Sequence, residues 1–190
     1  MGVYDLGYSL TIAFLEGDRT GMINTILEPF NYRDIKDLFE TDNFHSAHLE
    51  VRKTYLSKKG LGRDILLIGV CKGWTVIEQI YPGGWEYSAC SEVSALIQAK
   101  SITVNMETHA ESYQLIYCDK GRTLRKIEKN DLEIVENYGE QFPLNTEDGV
   151  PSVSEKDIED IVEQINGIEM WKLDMSNGGV EKVVVKSGAR

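Results

Sequence analysis

Apolar residues occur in short runs, most of them alternating with polar ones, and Gly, Asn, Asp and Pro punctuate the gaps. Alternation places every second side chain on one side of a strand, so residues 8–15 read as a strand. Residues 64–71 and 74–80 are two more, joined by Lys72-Gly73, a two-residue connection suited to a hairpin. Residues 101–108, 112–118 and 122–128 follow, the last two joined around Asp119-Lys120-Gly121, and 132–138 adds a fourth run with Leu132, Ile134 and Tyr138 apolar.

Other segments carry helical spacing. Residues 20–30 predict a short helix stopped near Pro29, and 33–39 another, from Ile35, Leu38 and Phe39. Ser91 is placed to cap a helix through Lys100 with Val93, Leu96 and Ile97 on one face. Ser154 begins a helix whose Ile158, Ile161, Val162 and Ile165 share a stripe, with Asp157 in the capping-box position. Residues 47–56 read as a strand, and 170–175 with 181–186 as a closing hairpin across Asn177-Gly178-Gly179. Strands grouped in hairpins predict an α+β fold, a mainly antiparallel sheet with several short helices. With no linker or repeat, residues 1–190 are expected to form a single domain.

Charge changes this picture more than composition does. The net charge is −11, and residues 128–163 alone hold twelve acids against Lys129 and Lys156, a local balance of −10. Such a field repels nucleic acid and anionic lipid and speeds encounter with a basic protein; a solvated face that aids solubility is the simpler alternative. Glu133, Glu136, Glu140, Asp157 and Asp160 are the candidate binding acids. Basic residues cluster only modestly around Arg52-Lys53 and Lys58-Lys59, where Tyr55 interleaves, and in a chain of this charge a nucleic-acid surface is not expected there. The start of the chain carries an acid where a signal peptide carries lysines, and no apolar run approaches a membrane span, so a cytoplasmic protein without membrane partners is expected.

Candidate chemistry is sparse. Cys71, Cys90 and Cys118 form no Cys-x-x-Cys and predict buried free thiols. His45 and His48 lack further ligands at metal-site spacing and read as exposed loop residues, so neither metal nor cofactor is expected. Gly60-Leu61-Gly62 lacks the third glycine of a dinucleotide loop. Cys90, just before a predicted helix, would have its thiolate favoured there, and His109 could serve as its base; this pair defines the alternative reading, a small cysteine hydrolase. Trp85, in a loop after two glycines, is a candidate interface anchor, and a homodimer through that loop is a third reading. Glu78 shares its parity with Trp74 and Val76, which puts a carboxylate on the core side. Burial there demands a partner, and Arg122 or Arg125 is expected to supply it; the alternatives are a binding pocket lined by Glu78 and the Trp85 loop, which makes Glu78 a candidate binding residue too, or exposure at the strand end.

The run Gly73-Trp74-Thr75-Val76-Ile77-Glu78, followed by Pro82-Gly83-Gly84-Trp85-Glu86, a helix, and strands ending in Asp119-Lys120-Gly121-Arg122, resembles a family of small uncharacterised bacterial proteins. The resemblance covers about residues 64–145, and Lys120 departs from that family's Asp-Gly turn. Its members are similar in size and pattern to the immunity-like proteins of bacterial toxin systems. The resemblance implies a non-enzymatic protein-binding role and transfers no catalytic residue.

Overall fold

The computed structural model describes residues 9–56, 64–80, 88–107, 110–131, 133–139, 142, 144, 146–147, 150–173, 179–180 and 182–189. Nine strands make one antiparallel sheet: β1 (Ser9–Glu16), β2 (Arg33–Thr41), β3 (Asp64–Cys71), β4 (Trp74–Ile80), β5 (Lys100–Glu107), β6 (Ser112–Asp119), β7 (Arg122–Asn130), β8 (Glu133–Tyr138) and β11 (Val183–Ala189). Their spatial order is β2-β11-β3-β4-β1-β5-β6-β7-β8. β9 (Thr146–Glu147) and β10 (Val150–Pro151) form a separate small ladder. The mixed α and β composition, dominated by sheet, agrees with the expectation.

The hairpin turns follow from local chemistry. Lys72 and Gly73 have φ of 48° and 78°, and Lys120 and Gly121 have φ of 49° and 85°. Two successive positive φ values give the turn whose twist matches flanking strands. The lysine between Asp119 and Gly121 is therefore no obstacle to a tight turn.

Helices cover both sides. α2 (Phe44–Val51) and α4 (Glu155–Asn166) pack on one face, where Phe44, Ala47 and Val51 and then Ile158, Ile161 and Val162 meet Ile12, Val76, Val104 and Leu115. α1 (Ile23–Leu27) and α3 (Ser88–Ile97) cover the other, where Ile26, Leu27, Ala89 and Val93 meet Ala13, Leu66 and Ile77. β3 and β4 are buried on both faces, which is why they read as nearly continuous apolar runs. No helix among the described residues is long and apolar enough to cross a membrane.

Four expectations change. Residues 33–39 belong to β2 rather than a helix, and one register shift in its pairing with β11 passes over Leu38. The irregularity lets the consecutive Leu38 and Phe39 both pack on the α2/α4 face, which imitates helical spacing in the sequence. Residues 47–56 are helical, α2 running on into a π-helical turn, Arg52–Leu56. Asn43 caps α2, its Oδ1 accepting from the Ser46 N–H at 2.8 Å. α3 begins at Ser88, three residues before the expected cap at Ser91. Among the described residues the expected closing hairpin does not form: Met170–Lys172 is a single 3-10 turn, residues 174–178 and 181 lie outside the described residues, and β11 inserts between β2 and β3.

Candidate functional site

The acidic segment folds into two elements. β8 is the last strand of the sheet, paired among the described residues only to β7, and α4 lies across the opposite end of the segment over β5 and β6. Ser154 caps α4 reciprocally with Asp157: the Asp157 N–H donates to the Ser154 Oγ at 3.3 Å, and the Ser154 N–H donates to Asp157 Oδ2 at 2.8 Å. Asp157 is thus committed to its own helix. Asp160 accepts from Lys156 Nζ at 2.8 Å.

The remaining acids of α4 form a ridge, Glu163 exposed and Glu155 and Glu159 half-buried, that the sequence did not single out. Glu155, Glu159 and Glu163 are spaced four apart and so lie one above the other. The i, i+4 spacing was the available signal. Burial first, and then the carboxylates of Glu155, Asp160 and Glu163, hold the Glu159 carboxyl above its ordinary range, with Lys156 opposing them. Burial also raises the Tyr113 phenol, with Glu155 and Glu111 adding to it. Lys129 stands 5.2 Å over the Tyr113 ring and pairs across the ladder with Ile134 of β8. Ile134 of β8 lies on this α4 side of the sheet, whereas Glu133 and Glu136 pair with Asn130 and Glu128 on the opposite side.

On β8, Glu133 is exposed, and Glu136 is half-buried in an ion pair with Lys126. Lys126 also lies 3.9 Å from Glu128. Ladder register carries Glu136, Glu128, Gln114, Asn105, Thr11 and Gln79 across the α3 side of the sheet as one polar row. At its inner end Gln79 Nε2 donates to Asp64 Oδ2 at 2.9 Å, and the Tyr32 hydroxyl donates to the same oxygen at 2.8 Å. The row runs from a buried cluster to the acidic edge.

Glu78 is buried on the α2/α4 face, as its parity requires, at 3% exposure. Its partner is neither Arg122 nor Arg125: His48 Nε2 lies 3.0 Å from Glu78 Oε2. Arg125 is buried elsewhere, its Nη1 donating to the Tyr138 carbonyl at 2.7 Å. The reading of His48 as an exposed loop residue is likewise corrected, since α2 turns it inward beside Phe44, Ala47 and Val51 at 5% exposure. Spacing at i, i+3, i+4 and i+7 from Phe44 was the missed signal.

Cys90 is fully buried in the first turn of α3, against Ser101 Oγ at 3.2 Å and the Ile116 carbonyl at 3.5 Å. Burial pushes its thiol well up, opposite to the lowering a nucleophile needs. Its expected base, His109, and the binding candidates Trp85 and Glu140 lie outside the described residues. All three cysteines are buried, and none of them is in a disulfide. Among the described residues no group of three or more His, Cys, Asp or Glu is placed to hold a metal ion.

No family model matches the chain, and neither a curated protein nor a solved structure matches it. The functional reading accordingly rests on the surface itself.

Proposed function

We propose that this chain is a non-enzymatic protein-binding domain whose acidic surface, the α4 ridge on one side of the sheet and the β8 edge with Glu133 and Glu136 on the other, receives a basic protein partner. The observation that carries the reading is the concentration of like charge at Glu155, Glu159 and Glu163, where Lys156 alone opposes it on the helix. Clustered carboxylates repel one another in the free domain, and a partner's lysines or arginines relieve that repulsion on docking. An immunity-like role, in which such a face occupies a basic toxin, is the specific form of this reading. The burial of Cys90 weighs against the hydrolase alternative.

The test is capture from source-cell lysate at low and high salt, comparing the native chain with Glu155→Lys/Glu159→Lys/Glu163→Lys and with a control reversal at the exposed Glu28. A basic protein held at low salt, released at high salt, retained by the control and lost by the triple variant is expected. Capture indifferent to salt and to the reversals would remove the proposal.

A further inference from the structure

The two edges of the nine-stranded sheet are built differently. β2 carries Arg33 and Lys36, has Asp34 at φ 50°, and is irregular at two places in its pairing with β11. Cations and irregularities of this kind blunt an edge against further pairing. β8 has no lysine, arginine or proline. Its one irregularity skips Val135, which stands 60% exposed, and Tyr138 is 56% exposed. Among the described residues, no strand and no backbone hydrogen bond outside the β7 ladder reaches its outer side.

β8 is also held in place in advance. Lys126 pairs with Glu136, the Arg125 guanidinium fixes the Tyr138 carbonyl, and Gly139, at φ 90°, packs against the Leu124 carbonyl where a Cβ would stand 2.2 Å away. A strand fixed at both its middle and its end loses little entropy on receiving a neighbour.

We infer that β8 is a strand-addition site for an extended, lysine- or arginine-bearing segment of the basic partner. This rests on the acidic-face reading and adds the mode of docking. Register puts Glu133 and Glu136 on the α3 side of the sheet with Glu128; Lys126 pairs with Glu136 and Glu128, and Glu133 stands opposite Asn130. An added strand with cations on that side gains opposite-charge cross-strand pairs, while an apolar residue covers the exposed Val135. A second copy of β8 would instead bring Glu133 and Glu136 against the same acids, so charge selects a basic strand over self-pairing.

The probe is a short peptide alternating lysine with valine, compared with one alternating lysine with proline, which has the same charge but few backbone donors. Amide exchange of the full chain should slow across β8 only with the valine peptide, which should bind at least about tenfold more tightly. Glu133→Lys/Val135→Lys, two exposed positions, should abolish that protection while leaving the unfolding midpoint in place. Equal binding of both peptides, salt-sensitive but without β8 protection, would overturn strand addition and leave the acidic-face reading standing. Binding by neither would overturn both. Dimerisation of the peptide-free chain that the double variant abolishes would make a second copy the occupant and overturn the inference.

Discussion

His48 Nε2 and Glu78 Oε2 meet at 3.0 Å beneath α2, in a setting that is otherwise apolar: Glu78 pairs across the sheet with Ile12 and Leu67. The contact fastens a helix to the centre of the sheet. Removing one member of a buried pair strands the other, so Glu78→Ala should cost about 3–5 kcal/mol. His48→Phe with Glu78→Leu should recover most of it, since a well-packed apolar pair needs no polar partner. Urea unfolding of the four species of a double-mutant cycle checks this. Additive single effects would mean that the two side chains are energetically independent.

Glu159 supplies a pH-dependent prediction. Its carboxyl is raised in the folded chain by burial and then by Glu155, Asp160 and Glu163, so the folded state keeps this proton to higher pH than the unfolded state. Stability from this group therefore falls as pH rises through the raised value, and the cost is absent below the unfolded carboxylate value of about 4.3. Two like-charged neighbours at i, i+4 spacing cost a few tenths of a kcal/mol each, partly offset by Lys156. Glu159→Gln should stabilise the domain by about 0.5 kcal/mol near neutrality and by almost nothing in acid. Thermal unfolding across that range measures it, and a gain that persists unchanged in acid would contradict the electrostatic cause.

Cys90 should be silent toward alkylating reagents in the native state. Full burial raises its thiol and blocks access, so labelling should proceed no faster than opening of the structure. Mass spectrometry of labelled peptides with and without denaturant distinguishes the cases. Labelling in native conditions at the rate of a free thiol would restore the nucleophile reading.

Gly139 occupies a backbone conformation other residues resist, and an added Cβ would meet the Leu124 carbonyl at 2.2 Å. Gly139→Ala should cost more than about 1 kcal/mol and loosen the end of β8 held by Arg125. Urea unfolding combined with amide exchange at β8 tests both halves. An unchanged midpoint with unchanged β8 protection would show that this contact does not fix the strand.

The features legible in the sequence are those set by residues close together along the chain. Lys72-Gly73 and Asp119-Lys120-Gly121 specify tight turns through their own backbone preferences, and Ser154 with Asp157 starts α4 through a contact three residues long. The parity of Glu78 assigned its face, and the acids of residues 128–163 announced a charged surface before any fold was known. Tertiary structure decided what distance along the chain conceals. β11 pairs with β2 and β3 because the sheet's long-range ladder has a place for it, and no local signal names such a partner. The irregularity at Leu38 disguised β2 as a helix. His48 became the partner of Glu78, and Cys90 was sealed beneath α3, because packing of helices on the sheet fixes which side chains meet. Local preference is a matter of tenths to about one kcal/mol per residue, whereas burial and pairing of a polar group in a core are worth several, so the assembled core settles these choices.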